Sequence, residues 1–206
     1  MDIEIIVIML GMILVIYFLY HMIYTYSEIK YVKSDVDGNV YLIRRGNNKS
    51  EKFLKDSANT LALINKNVIG LVDYLFKNFN NRDDKFYFIK KLKENYKQYI
   101  ISEAAVDPRY TTYTIDKRDM HICLRTRDTN EKVYDMNILM YVVLHELAHL
   151  CNYNKNGEAI LGHGSEFRDI FKFLVEESIK IGIYNHVNYS AEPREYCGIM
   201  ITTSII

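Results

Sequence analysis

Tryptophan is absent from the 206-residue chain, proline occurs twice, and cysteine occurs three times. Cys123, Cys151 and Cys197 are odd in number and far apart, and they never form a CxxC pair. The sequence therefore indicates neither a disulfide framework nor a zinc ribbon. Unpaired cysteines are typical of a reducing compartment, and we expect the domain that carries them to lie in one.

The chain also lacks a net charge, because its 26 basic and 26 acidic side chains cancel. A neutral chain has no overall field that attracts nucleic acid, so no nucleic-acid partner is predicted. Phosphate-binding glycine loops, internal repeats and low-complexity tracts are missing as well. The length allows one ordinary domain with an appendage.

The longest apolar run lies near the N-terminus, from Ile5 to Tyr26. As a helix that rises about 1.5 Å per residue, this run would cross roughly 30 Å of hydrocarbon. A cleaved signal sequence is the alternative, but such a sequence has a basic start and a small-residue cleavage site. This run instead follows Asp2 and Glu4. We expect a single-pass membrane anchor through residues 5–26.

Basic residues follow the apolar run, beginning with Lys30 and Lys33, and none precedes it. The positive-inside rule then predicts a cytosolic position for the rest of the chain. The sequence divides into a membrane anchor (1–29), a hairpin or stalk (30–56) and a main domain (57–206).

Secondary structure in the soluble part follows from turn residues and apolar spacing. Asp37-Gly38 separates two β-prone runs and predicts a hairpin. Apolar residues recur at intervals of three and four in 57–79 and 84–101, which predicts two amphipathic helices. After Pro108, a polar turn near residues 116–119 divides two further predicted strands.

The segment "VLHELAHLCNYNKNGEAILGHGSEF" (143–167) contains three of the six histidines. Asp135 is a good N-cap for a helix that contains no glycine or proline. One helical turn brings His145 and His149 to the same face, with Glu146 beside them. Two imidazoles in this arrangement can bind zinc, and a catalytic zinc requires a third protein ligand.

His163 is the predicted third ligand. It lies between two glycines and directly before a predicted helix from Ser165 to about Ile181. Cys151 could approach the site but is expected to pack as a small apolar residue. The alternative third ligands are Glu158, Glu166 and Asp169.

The pattern predicts hydrolysis of peptide bonds. Zinc lowers the pKa of a water molecule toward about 7 and polarises a carbonyl, and Glu146 would act as the general base. A structural zinc site is the alternative, although such sites normally have four ligands and favour cysteine. His121 and His186 are expected to be surface or core histidines rather than catalytic residues.

The segments "HICLRTRDTNEKVYDMNILMYVVLHELAHL" and "GHGSEF" resemble the zinc metalloproteases of the WLM and SprT-like group. The resemblance covers about 104–181. It implies an α+β fold of the minigluzincin type, with His145, His149 and His163 as zinc ligands and Glu146 as the catalytic base. The spacing of the third histidine is nearer to SprT-like proteins. A metzincin pattern would require a histidine where this chain has Lys155.

Features associated with DNA-protein crosslink repair do not accompany this resemblance, because no C-terminal zinc ribbon, basic patch or aromatic platform is evident. We expect a membrane-anchored zinc metalloendopeptidase that acts on a protein or peptide substrate. The alternative is a non-catalytic, membrane-tethered zinc-binding interaction protein. Residues 195–206 are expected to form a final strand that joins the sheet beside the HExxH helix, with Tyr196 or Tyr189 reaching the active site.

Overall fold

The computed structural model of the protein describes residues 3–46, 50–97, 100–106 and 110–206, with the backbone alone for 24–27. The fold is a mixed α+β arrangement. Its helices are α1 (Ile3–Glu28), α2 (Glu51–Asn78), α3 (Phe86–Asn95), α4 (Met136–Cys151) and α5 (Ser165–Lys180). Its strands are β1 (Ile29–Lys33), β2 (Val40–Arg44), β3 (Ile101–Glu103), β4 (Tyr113–Ile115), β5 (Asp119–Ile122), β6 (Arg194–Tyr196) and β7 (Ile199–Ile201).

Helix α1 contains the predicted apolar run. Residues Ile3–Ile23 have a mean hydropathy of 2.6, and none of the apolar window is buried inside the protein. The helix is therefore long and apolar enough to cross a membrane, a property that N-terminal signal sequences share.

The predicted hairpin is confirmed. Strands β1 and β2 pair antiparallel, from Ile29 with Arg44 to Lys33 with Val40. Gly38, at φ +74°, occupies a left-handed backbone conformation in the turn, which glycine adopts without steric cost. The hairpin is not a free stalk, since Ile43 on β2 is fully buried in the same core as α2.

Buried charges tie the hairpin to the three-stranded sheet. Arg125, which follows β5, has no exposed side-chain surface, and its Nε donates to Oε1 of Glu103 at 2.6 Å. The other oxygen of Glu103 accepts from the backbone N–H of Arg44 at 2.9 Å. Arg44 also pairs with Glu131 at 2.7 Å. Because a buried charge without a partner is costly, this network fixes the hairpin against the sheet.

Helix α2 begins before the predicted Ser57. The side chain of Ser50 accepts a hydrogen bond from the backbone N–H of Phe53 at 3.2 Å, so the helix starts at Glu51. Its buried face is mainly apolar, as predicted, and includes Leu61, Ile64, Val68, Leu71 and Leu75.

Helix α3 begins at Phe86, two residues after the predicted start, but the expectation that the helix continues to residue 101 is wrong. The backbone N–H of Tyr96 closes the last turn on the carbonyl of Leu92, and Ile101 already belongs to β3. Strand β3 pairs in parallel with β5, and this tertiary pairing overrides the local helical spacing. Tyr99, part of the predicted apolar pattern, lies outside the described residues.

The main sheet has the strand order β3-β5-β4. The predicted strands around the polar turn are confirmed as the antiparallel pair β4 and β5. Asp116 and Lys117 in their turn have φ values of 49° and 54°. Among the described strands, β4 pairs with β5 alone, so β4 is an edge strand of this sheet.

Helices α4 and α5 pack beside each other, as predicted. The carboxylate of Asp135 accepts hydrogen bonds from the N–H groups of Asn137 and Ile138 and caps α4. The inward residues predicted for α5 are all buried, namely Phe167, Ile170, Phe171 and Leu174.

The C-terminal segment forms its own hairpin, so the expectation of a final strand in the main sheet is wrong. Strand β6 pairs with β7, from Arg194 with Ile201 to Tyr196 with Ile199. The chain reverses at Cys197 and Gly198, whose φ values are 51° and 86°. Residues with positive φ at both central positions are typical of a tight hairpin turn.

The expectation of three free cysteines is also wrong. Cys123, directly after β5, forms a disulfide with Cys197 in the turn between β6 and β7, and their Cα atoms are 6.5 Å apart. The pairing joins residues 74 positions apart, so local spacing could not reveal it. Cys151 is free and fully buried, and its Sγ lies 3.1 Å from the carbonyl of Leu147, which confirms the predicted apolar packing.

Removal of the disulfide should destabilise the protein strongly. A cross-link that closes a loop of this length restricts the unfolded chain and contributes about 4 kcal/mol to the free energy of unfolding. We expect the Cys123→Ala/Cys197→Ala variant to lose roughly that amount in urea denaturation. Reductant should have a similar effect on the wild type and none on the variant. Equal unfolding free energies of oxidised and reduced wild type would contradict the cross-link's stabilising role.

Candidate metal centre and catalytic site

Three histidine side chains meet at the surface of α4. His145 and His149 lie one turn apart on the helix, and His163 approaches them from the loop before α5. The Nε2 atom of His163 is 3.0 Å from Nε2 of His149 and 3.0 Å from Nε2 of His145. All three ring nitrogens lie within 4.8 Å of one another. His163, the predicted third ligand, therefore lies next to His145 and His149.

This geometry fits a metal ion. In a tetrahedral zinc site, nitrogens about 2.0 to 2.1 Å from the metal lie about 3.3 Å from each other, close to the separations at His163. A proton can bridge only two ring nitrogens, whereas here one nitrogen lies near two others. A bound cation would satisfy all three.

The two helical histidines are held neutral. Burial, followed by the proximity of His149 and His163, lowers the pKa of His145 to about 3. Burial, followed by the proximity of His163 and Lys117, lowers the pKa of His149 to about 4. Because a metal binds the neutral imidazole, both residues are available as ligands at physiological pH.

Phe167 holds the three imidazoles in place. This buried residue of α5 contacts each ring, with centroid distances of 4.9 Å to His145, 4.3 Å to His149 and 4.7 Å to His163. Gly162, at φ +80°, gives the loop the left-handed turn that directs the chain into His163. The apolar face of α5 thus positions the site as well as the core.

Glu146 lies beside the histidines but is buried, with 7% of its surface exposed. Its Oε2 accepts a hydrogen bond from the hydroxyl of Thr114 on β4 at 2.8 Å. Burial outweighs the opposing hydrogen bond from Thr114 and raises the pKa of Glu146 to about 7. A carboxyl group with such a pKa can both accept and return a proton near neutral pH.

The other predicted candidates lie apart from this centre. Glu158 hydrogen bonds to Asn154, and Glu166 and Asp169 are exposed. Within the described part of the chain, the group of side chains able to bind a metal consists of the three histidines alone.

Of the other histidines and tyrosines considered in the sequence analysis, one residue lies next to the metal-binding cluster. Nδ1 of His121 lies 2.8 Å from the hydroxyl of Ser102, and its ring stacks on Tyr113, whereas His186 is exposed. Tyr189 is buried against other aromatic rings, but Tyr196 lines a cavity together with His145 and Glu146.

Two contacts from the β4–β5 hairpin were not apparent from the sequence. Thr114 reaches Glu146, and the ammonium of Lys117 donates to the carbonyls of His149 and Asn152 at 2.5 and 2.8 Å. Lys117 thereby adds a cationic donor to carbonyls that also accept backbone hydrogen bonds, at the C-terminal end of α4, where the helix dipole favours a positive charge. The polar turn near residues 116–119 predicted the strands, but no local signal identified these two partners.

Two cavities flank the cluster. The first has a volume of about 360 Å³ and lies between α4, α5 and the C-terminal segment. The second has a volume of about 680 Å³ and lies between the β4–β5 hairpin and the loop before His163. Both are lined by Thr112, His145, Glu146 and His163, so cavities open on either side of the histidines.

Comparison with known proteins identifies viral relatives. No family model and no solved structure matches the chain. It is 42% identical over 76 residues to uncharacterized protein 042R of Invertebrate iridescent virus 3, covering 36% of this chain and 42% of the relative. It is 32% identical over 88 residues to uncharacterized protein 136R of Invertebrate iridescent virus 6, covering 42% and 46%.

A longer match extends over most of the chain. The chain is 37% identical over 183 residues to uncharacterized protein R325 of Acanthamoeba polyphaga mimivirus, and the match covers 88% of this chain and 87% of the relative. Identity at this level over this length indicates a common fold. The chain belongs to the same family as this mimivirus protein.

Proposed function

We propose that the protein is a zinc metalloendopeptidase. The observation that carries this proposal is the convergence of three imidazole nitrogens beside one buried carboxylate, which pairs a metal site with a proton acceptor. Three nitrogen ligands leave a fourth tetrahedral position for water or substrate, as catalytic zinc sites require. When bound, zinc would polarise the carbonyl of the scissile peptide and lower the pKa of a water molecule toward about 7.

Glu146 is the proposed general base. Its carboxylate would remove a proton from the attacking water and later deliver it to the leaving amine. The hydroxyl of Thr114 occupies Oε2 at 2.8 Å and thereby orients the carboxylate. Phe167 packs against the rings of His145 and His149 and would hold these two residues in position to bind the metal.

The surroundings of the site favour a substrate in extended conformation. Strand β4 is an edge strand of the described three-stranded sheet, and the hydroxyl of its Thr114 donates a hydrogen bond to Glu146. An extended peptide can add to such an edge by backbone hydrogen bonds. Cavities on both sides of the histidines would accommodate residues before and after the cleaved bond, which supports an endopeptidase rather than an exopeptidase.

We further propose that the domain is related to the WLM and SprT-like group, with a minigluzincin-like arrangement. The supporting features are an HExxH helix packed near a small sheet and a third histidine directly before the next helix. The C-terminal hairpin, which a disulfide links to the end of β5, lies outside the segment that resembles this group.

A membrane anchor completes the proposal. The exposed apolar surface of α1 would lie in lipid, which would hold the catalytic domain at a membrane. The basic residues after the span favour the cytosolic side, whereas the Cys123–Cys197 disulfide favours an oxidising one.

Metal dependence tests the enzymatic proposal. The full chain in detergent, loaded with zinc, should cleave an unfolded protein such as reduced casein. Cleavage should stop after removal of the metal with 1,10-phenanthroline and return when zinc is restored. If the zinc-loaded protein binds casein without cleaving it, the protein is instead a zinc-binding interaction module.

A further inference from the structure

The smaller cavity beside the proposed catalytic centre has an apolar wall on three sides. Helix α4 contributes Val142, α5 contributes Phe171, and the C-terminal segment contributes Ile201 and Ile205. The cavity begins at His145, whose ring contacts Phe171 at a centroid distance of 5.3 Å. An apolar substrate side chain that entered this cavity would be removed from water, at a position next to the reacting centre.

Charged groups are scarce among the residues that line this cavity. Apart from the site residues His145, Glu146 and His163, the charged side chain is that of Arg168, which is exposed. The hydroxyl groups that also line the cavity are uncharged, so a charged substrate side chain would lose its hydration here without gaining an ionic partner in the apolar part of the cavity. The chemistry of the walls therefore favours an apolar occupant.

The C-terminal wall is fixed before any substrate binds. The Cys123–Cys197 disulfide holds the β6–β7 turn, and the hydroxyl of Tyr196 donates to the carbonyl of Cys123 at 2.9 Å. Further along, the hydroxyl of Ser204 donates to the carbonyl of Val187 and accepts from the backbone N–H of Tyr189, both at 2.8 Å. A preformed wall avoids the cost of ordering the segment on binding.

We propose that this cavity is the subsite that selects the substrate, and that it takes one large apolar side chain next to the cleaved bond. A volume of about 360 Å³ lies at the small end of ligand cavities, which suits one side chain of the leucine, methionine or phenylalanine type. The C-terminal segment, through Ile201 and Ile205, determines this preference. The inference rests on the proposed function, because it assigns the substrate class of the same site.

The test measures binding rather than turnover. Two peptidyl hydroxamates, identical except for an isobutyl or an aminobutyl group on the carbon next to the hydroxamate, are titrated calorimetrically into the zinc-loaded full chain in detergent. Burial of an isobutyl group should make that compound bind roughly 10- to 100-fold more tightly. Equal affinities would overturn the proposal.

Variants locate the preference. Ile205→Asp should abolish or reverse the preference for isobutyl, because its carboxylate offers a partner to the ammonium. The matched control is Leu63→Asp, which introduces the same charge on α2 at a residue that is 41% exposed. The control should keep the wild-type ratio. If Ile205→Asp also keeps it, the C-terminal segment does not determine selectivity.

A conservative variant covers the case in which Ile205→Asp does not fold. Ile205→Ala enlarges the cavity and should shift the preference from isobutyl toward a larger phenylethyl group. An unchanged order of affinities would contradict the assigned wall.

Cleavage sites then separate this inference from the function on which it rests. Wild-type products from an unfolded substrate should share a large apolar residue at one position beside the cut. Discrimination between the hydroxamates without any cleavage would preserve the subsite and refute the peptidase. Cleavage without an apolar preference would refute the subsite and preserve the peptidase.

Discussion

Replacement of Glu146 by glutamine is expected to reduce the rate of peptide-bond cleavage by at least about a hundredfold and to leave zinc bound. Proton transfer by a positioned side chain contributes on the order of a hundredfold to ten-thousandfold in rate. Glutamine keeps the shape of the side chain and can still accept from Thr114, but it cannot take a proton from water. The measurement is the initial rate of cleavage of a fluorogenic peptide, together with the zinc content of the same sample.

A surface glutamate supplies the matched control. Glu192 is exposed and lies in the loop before β6, so Glu192→Gln removes the same charge at a site without catalytic contacts. Its cleavage rate should equal that of the wild type. Unchanged cleavage by Glu146→Gln would refute the role of Glu146 as the base, and loss of zinc from that variant would show that the carboxylate binds the metal instead.

The second large effect is expected at the third ligand. His163→Ala should weaken zinc binding by more than about a hundredfold, because loss of a residue that only supports a ligand already costs ten- to a hundredfold. The two imidazoles that remain on α4 supply only two of the three protein ligands that a catalytic zinc requires. The dissociation constant is measured by competition with a chromophoric chelator.

The fold should survive this substitution. His163 is exposed and lies in a loop, whereas the packing of α5 depends on buried residues such as Phe167 and Phe171. The far-ultraviolet circular dichroism of the variant should therefore match that of the wild type. His186→Ala, at another exposed histidine, is the matched control and should keep full affinity. A His163→Ala variant that binds zinc as tightly as this control would contradict the assigned ligand.

The parts of the site that the sequence predicted correctly depend on short-range geometry. The turn of α4 is sufficient to bring His145 and His149 together, and the Asp135 cap marks where that turn begins. The apolar spacing of α5 predicted which of its residues face the core. His163 was predictable because it directly precedes that helix, so the packing of α5 beside α4 brings it close.

The parts that were missed depend on long-range contacts. The end of the helix predicted for 84–101 is not helical, and its last residue belongs to strand β3. Pairing with β5 outweighed the helical spacing of the apolar residues there. The cysteines were predicted to be free, yet Cys123 meets Cys197 only once the C-terminal hairpin has folded onto β5. Thr114 contacts Glu146 only because β4 lies beside α4. The two members of each pair are far apart in the sequence, and the spacing of apolar residues predicts only contacts between residues that are close in the sequence.

The most direct test of the central claim is the zinc K-edge X-ray absorption spectrum of the zinc-loaded protein. Three convergent imidazoles predict three nitrogen ligands and one oxygen ligand at about 2.0 to 2.1 Å, with the outer-shell scattering that imidazole rings produce. A zinc–sulfur distance of about 2.3 Å, or a shell with fewer than three imidazoles, would contradict the site formed by His145, His149 and His163.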